Sequence, residues 1–268
     1  MKSILENIRL KTPLIHCITN YVTANDCANI LLACGARPVM ADEPDEVSEI
    51  TASADALCIN TGTVNDFTVQ AMFEAGKTAN RLGIPAVLDP AGTGSSGYRR
   101  KKVSEMIEKI RFAAIRGNAS EIMTLAGIET KGRGVDSSVS VPPVYELAGI
   151  AKVLSGRTGA VICITGETDI ISDELTSFCV HNGDALMSRV TGTGCQLSAL
   201  ISAFVSVNRD KILNAAVAAV CAMGLCGEKA KKRMTSPDGN ASYGNYIIDA
   251  VFNLTPQQLE SGAKYEIL

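Results

Sequence analysis

The sequence predicts an α/β fold, with a mostly parallel central sheet covered by helices on both faces. Three observations predict it. Short apolar runs alternate with stretches of helical periodicity through the first two thirds of the chain. The apolar runs are continuous rather than alternating, as in strands buried on both sides. Nearly every run ends in small or polar residues, at the edge where a parallel sheet binds its ligands.

The elements follow in order. Leu14–Ile18 reads as a strand, and Ala24–Ala33 as a helix ended by Gly35. Pro38–Met40 is a short strand, followed by a helix over Glu43–Ala52. Ala56–Asn60 is a strand that stops at Thr61-Gly62-Thr63. Phe67–Leu82 is helical, and Gly83 closes it with the residue that most readily takes a left-handed C-cap. Pro85–Leu88 is a strand running into Asp89-Pro90, and Val103–Ile110 is a helix. Ala113–Ile115 leads to Arg116-Gly117-Asn118, with a helix starting over Ser120–Leu125. Val144–Leu154 is helical, and Ala160–Ile164 is a buried strand ending at Thr165-Gly166-Glu167. Ile170-Ile171 and Ser177–Val180 are separated only by a turn at Asp173-Glu174, so they read as an antiparallel edge. From Gln196 to Phe252 the chain is nearly all helix. Gly132–Ser138 reads as a mobile surface loop. With no linker-like tract and no repeat, residues 1–268 read as a single domain.

Bulk properties narrow the function. The net charge of −3 gives no basic footprint for nucleic acid or an anionic membrane. The basic clusters Arg99–Lys102 and Lys229–Arg233 read as solvated helix ends. The run Ala215–Gly227 is too short for a membrane span. The 9 cysteines are odd in number and most lie in apolar patterns without zinc-ligand spacing, and the N-terminal segment lacks the apolar core of a signal peptide. A reduced, cytoplasmic protein with buried thiols follows, and the sequons at Asn118 and Asn240 are chance matches.

The densest chemical signal is Val190-Thr-Gly-Thr-Gly-Cys-Gln-Leu-Ser-Ala199. Glycines that open an apolar helix gather free backbone N–H groups and the positive end of the macrodipole, an arrangement suited to phosphate. Cys195 would stand in the first turn, where that field favours a thiolate; alternatively it is a small apolar filler. The other strand ends add Asn20, Asn60, Asp89, Arg116 with Asn118 and Glu121, and Thr165. Asp89 either holds Mg²⁺ through water or caps the following turn. Glu121 is either a second metal-associated carboxylate or a helix-start charge. Arg116 supplies the planar cation a polyphosphate needs, or forms an ion pair. His16 and His181, the two histidines, read as packed or hydrogen-bonded imidazoles.

Taken together, the following stretches resemble the hydroxyethylthiazole kinase family: Pro13–Asn20, Gly35–Ala41, Ala56–Thr63, Leu88–Pro90, Ile115–Ile122, Ile164–Glu167 and Val190–Cys195. Each is weak alone; in this order they are specific as a set, and the likeness runs from about residue 10 to 250. The resemblance implies a ribokinase-like three-layer α/β/α sandwich. It also implies transfer of the ATP γ-phosphate to the primary hydroxyl of 4-methyl-5-(2-hydroxyethyl)thiazole, with Mg²⁺, in a homotrimer whose active sites lie between subunits. By the same resemblance Met40, Gly192 and Asn20 would contact the thiazole. Arg116, Thr165, Asn118 and Gly194 would contact ATP, Asp89 and Glu121 would serve Mg²⁺, and Cys195 would occupy the catalytic position. Ribokinase-like relatives usually carry Asp there, so Cys195 is expected to tune the reaction rather than enable it. The loop Ala91–Ser96 keeps the family's small residues without matching every letter. Other vitamin kinases and a nucleotide-dependent lyase acting on hydrated NAD(P)H share the fold. Cys195 in place of Asp separates this chain from both, although Asn182-Gly183-Asp184 suits the lyase. A non-catalytic binding protein is disfavoured by the joint presence of Asp89, Arg116, Glu121 and Thr165.

Overall fold

Alternation along each strand decides which side chain meets which helix, and this places the site. The computed structural model describes residues 1–128 and 142–268, so the loop expected over Gly132–Ser138 lies outside the described residues. The chain opens with α1 (Lys2–Lys11), then β1 (Leu14–Ile18), α2 (Ala24–Cys34), β2 (Arg37–Met40), α3 (Val47–Ser53), β3 (Ala56–Asn60) and α4 (Asp66–Leu82). It continues through β4 (Ala86–Asp89), α5 (Gly97–Lys109), β5 (Ala114–Asn118), α6 (Ala119–Leu125), α7 (Val144–Thr158) and β6 (Val161–Thr165). The strands β7 (Asp169–Ser172) and β8 (Ser177–Val180) precede a helical C-terminal part: α8 (Thr193–Ser206), α9 (Ile212–Arg233), α10 (Asn240–Phe252) and α11 (Pro256–Gly262), closed by β9 (Tyr265–Ile267).

The strands form one sheet in the order β2-β1-β3-β4-β5-β6-β7-β8-β9. Pairs from β2 through β6 are parallel, and β6 through β9 are antiparallel. The chain goes from β1 outward to β2 and then crosses to β3 on the other side. The sheet therefore changes direction at β1, and a ligand crevice is expected beyond the strand ends there.

Each face has its own core. Ile15, Cys17, Ala56, Cys58, Val87, Ala114, Val161 and Cys163 pack with α2 and α8–α10. Their neighbours Ile18, Leu57, Ile59, Leu88, Ile115, Ile162 and Ile164 pack with α4–α7. Successive side chains of a strand point to opposite faces. Asn60, Asp89, Arg116 and Thr165 all continue the first series, so all four belong to the face covered by α8.

Several expectations need correction. The helix expected from Glu43 starts at Val47, with Glu43–Glu46 forming the turn that enters it. The helix expected from Val103 begins at Gly97, because the Ser96 hydroxyl caps it by accepting from the Arg99 N–H. The β7–β8 hairpin is not the edge, since the three residues of β9 pair with β8. A segment of three residues is too short to establish a strand periodicity. The run Ala215–Gly227 is the middle of the longer α9. By length and composition that helix is apolar enough to cross a membrane, yet 72% of its apolar window is buried inside the fold. Arg99 is no solvated helix end: its guanidinium donates to the carbonyls of Thr61 (3.1 Å) and Ala91 (3.2 Å). All nine cysteines are free, and only Cys195 among them is not fully buried. His16 is buried and bonded to the Thr51 hydroxyl and the Ala41 carbonyl, both at 2.8 Å. His181 lies just past β8 against Glu266.

Candidate active site

The site is built where α8 begins above the ends of β3, β4 and β5. Gly192 is the N-cap of α8 with φ +87°, a left-handed conformation that L side chains take only at a cost. A Cβ there would also stand 2.5 Å from the Thr23 methyl. Two residues on, a Cβ on Gly194 would meet the Arg116 guanidinium, with Cζ at 2.8 Å. The two glycines let the start of the helix close down on β5 and on the residues after β1.

Cys195 is the third residue of α8. Its Sγ receives the side-chain N–H of Asn20 at 3.2 Å and that of Asn60 at 3.3 Å. One turn further, the Ser198 hydroxyl donates to Asp89 Oδ2 at 2.8 Å. Asp89 is 1% exposed, and Arg116 Nη1 lies 3.5 Å from the same oxygen. Arg116 Nη2 donates to the Thr165 hydroxyl at 2.5 Å. Asn118 pairs in register with Thr165 and caps α6, while the Glu121 carboxylate accepts the Asn118 N–H and the Gly92 N–H, both at 2.9 Å. Glu121 thus fastens the start of α6 to the loop after β4. The structure brings together Asn20, Asp89, Arg116, Asn118, Glu121, Thr165, Gly192, Gly194 and Cys195.

Met40 stands apart. It ends the edge strand β2, is 40% exposed, and lies two strands from β3, or about 10 Å at the usual strand spacing. Sequence reading gave Asn60 no role beyond its place at a strand end, and it missed Ser198 and Thr23. The signal for Asn60 and Ser198 was parity: Asn60 shares the face of Ala56 and Cys58, and Ser198 follows Cys195 by three residues on one helix face.

Burial governs the electrostatics. It pushes the Asp89 carboxyl up, against Arg116, Ser198 and Asn60. Burial and then Asp89 push Glu121 up, against the Gly92 N–H and Arg116. For Arg116, burial pulls the guanidinium down, but Asp89, Glu121, Cys195 and Asp169 together hold it above its ordinary value. Cys195 is the remaining titratable group of the site. Burial and the Asp89 charge push its thiol up, outweighing Thr23, Asn20 and Arg116. Arg116 Nε and Asp89 Oδ1 are buried and find no partner among the described residues. Asp89 Oδ1 is thus a hard oxygen without a partner, although among the described residues no group of three or more His, Cys, Asp or Glu side chains gathers as a metal site.

The fold is that of the ribokinase-like kinases. The pyridoxal kinase of Staphylococcus aureus, solved with AMP-PCP and pyridoxal, aligns with a TM-score of 0.65 over 96% of this chain and 98% of its own. At 12% identity that likeness is one of fold alone. The hydroxyethylthiazole kinase of Pyrococcus horikoshii is 33% identical with a TM-score of 0.89, each chain covered completely. The hydroxyethylthiazole kinase of Clostridium acetobutylicum is 51% identical over 99% of both chains, and that of Clostridium tetani 42% identical over 97% of this chain and 95% of its own. The profile of the hydroxyethylthiazole kinase family matches residues 5–257. The chain belongs to that family, and it is an enzyme that transfers phosphate to an alcohol.

Proposed function

We propose that the protein, acting as one domain over residues 1–268, transfers the γ-phosphate of ATP to the primary hydroxyl of 4-methyl-5-(2-hydroxyethyl)thiazole. The observation that carries this reading is the buried Asp89–Arg116 pair, held by Ser198 against the first turns of the helix that presents Cys195. The free N–H groups of that turn, with Arg116, Thr165, Asn118 and Gly194, receive the phosphates of ATP. Asn20 and Gly192 line the thiazole side, and Met40 would complete it from a neighbouring subunit. The hydroxyl oxygen attacks the γ-phosphorus, its proton passes to Cys195 Sγ in the thiolate form, and the bond to the ADP oxygen breaks.

Asp89 and Glu121 would hold Mg²⁺, and the free Oδ1 of Asp89 supports this. The ion, when bound, neutralises charge on the phosphates being parted. Arg116 keeps its own charge throughout, which lets it steady the same phosphates and Asp89 together.

We place the enzyme in the cytoplasm as a homotrimer with active sites between subunits. Met40 on an open edge strand supports the second statement, as do the exposed side chains of Tyr21, Val22 and Leu32 around that edge. The test is ATP consumption with Mg²⁺ on hydroxyethylthiazole, hydroxymethylpyrimidine, pyridoxal and hydrated NADPH in parallel. Thiazole phosphate formed with ADP is the expected result. Turnover confined to another substrate would overturn the specificity while keeping the fold.

A further inference from the structure

We infer that Asn60 is a positioning residue for phosphoryl transfer, acting through Cys195. The orientation of two buried amides, Asn20 and Asn60, sets what Cys195 faces. Asn20 Oδ1 accepts the Thr23 N–H and the Thr23 hydroxyl, both at 3.1 Å. Its Nδ2 must then point the other way, to Asn60 Oδ1 at 3.1 Å and Cys195 Sγ at 3.2 Å. Asn60 Oδ1 accepts the Gly62 N–H at 2.8 Å in addition to the Asn20 amide. A backbone N–H can only donate, so the Asn60 oxygen is fixed on that side and its Nδ2 is turned to Cys195 Sγ at 3.3 Å.

Neither amide can flip without losing a backbone donor inside a buried site, since Asn20 and Asn60 are 5% and 2% exposed. The result is a sulfur that faces two fixed N–H donors from two different strand ends. A thiol gains little from that, and a thiolate gains more, because hydrogen bonds to an ionised acceptor are the stronger ones. The two donors, with the Thr23 hydroxyl beside them, fix where the sulfur stands when it takes the substrate hydroxyl proton. Asn60 supplies this order because it joins the Gly62 turn, Asn20 and Cys195, and its strand partner in register is Asp89.

This assignment rests on the reading of Cys195 given above, and its test has one arm that needs no substrate. Asn60→Asp keeps an oxygen for the Gly62 N–H and the Asn20 amide but puts an acceptor where the donor to Sγ stood. Asn60→Ser is the second variant, too short to reach the sulfur and still able to accept from Gly62. Both are expected to lower kcat by about tenfold or more in the wild-type background, with KM for each substrate within about threefold. In a Cys195→Ala background the same changes are expected to cost less than about threefold, because coupled residues are not additive. Equal losses in both backgrounds, or none in either, would overturn the assignment.

In the second arm, alkylation of Cys195 by iodoacetamide, followed by peptide mass spectrometry, is expected to slow by about threefold or more in both variants. An unchanged rate would also overturn it. A wild-type enzyme inactive on the thiazole would refute the proposed substrate and leave this arm to decide the role of Asn60.

Discussion

Replacing Cys195 separates a group that enables the reaction from one that tunes it. A well-placed general base contributes about 10²–10⁴-fold. The thiol lies above its ordinary value because burial and Asp89 oppose its charge, so the thiolate is the minor form at neutral pH. A base held mostly in its protonated form contributes less than a fully ionised one, so Cys195→Ala should lose about 10–10³-fold in kcat, with clear residual turnover from positioning and charge neutralisation. Cys195→Asp meets the same two amide donors at 3.2 and 3.3 Å. A carboxyl is ordinarily far more acidic than a thiol, so this variant should keep or raise kcat. The assay is steady-state ADP release at saturating ATP and thiazole, with circular dichroism to show that each variant is folded. A folded Cys195→Ala protein with no activity at all would refute the reasoning.

Other consequences can be measured directly. Gly192→Ala combines a left-handed φ with a methyl 2.5 Å from Thr23; it should cost about 2–4 kcal/mol and lower Tm by about 5–15 °C, and an unchanged melting curve would count against the close approach. Gly194→Ala pushes a methyl against the Arg116 guanidinium; in the folded variant KM for ATP should rise about tenfold or more, and equal KM values would show that Arg116 does not meet the nucleotide. The Asp169 carboxyl is pushed up to about 6 by burial, against the Gly166 N–H and Arg116. Its folded value exceeds its unfolded one, so this contribution to stability is complete below about pH 4 and is lost as pH rises through about 6. The loss is at most about 3 kcal/mol, since the side chain keeps some solvent contact. Asp169→Asn should remove it, so that urea unfolding shows the variant gaining on the wild type between pH 4 and 7; parallel curves would show that Asp169 does not titrate in this way.

Much of the fold is legible in the sequence because buried parallel strands and long helices carry strong periodic signals. The runs Leu14–Ile18 and Ala56–Asn60 match their strands residue for residue. What escaped lies where the signal is weak or tertiary. Residues of α1 show helical spacing over only three buried positions, Ile4, Leu5 and Ile8. The strand β9 is wholly exposed and exists only because β8 offers it an edge. The candidate site is legible to the extent that its residues sit at strand ends. The state of Cys195 was not, because it depends on Asp89, a residue more than a hundred positions away, and on how deeply both are buried. Nor was Asn60: its importance lies in the direction of an amide, which a backbone N–H at Gly62 decides.

Alternation on the strands has a consequence for how the chain finds its pairing. Both faces of the sheet are covered, and both are lined by similar apolar residues: Cys58 beside Ile59, Val87 beside Leu88, Cys163 beside Ile164. A strand inserted one residue out of step would exchange one apolar set for another, so hydrophobicity alone resists such a slip only weakly. The polar residues at the strand ends resist it far more. A one-residue shift at β4 or β5 would turn Asp89 or Arg116 away from α8 and into the apolar layer under α4–α7, leaving an unpaired charge buried at a cost of several kcal/mol. The residues assigned to phosphate chemistry therefore also key the sheet into register, and a substitution there that spares the mature enzyme's stability can still slow its folding.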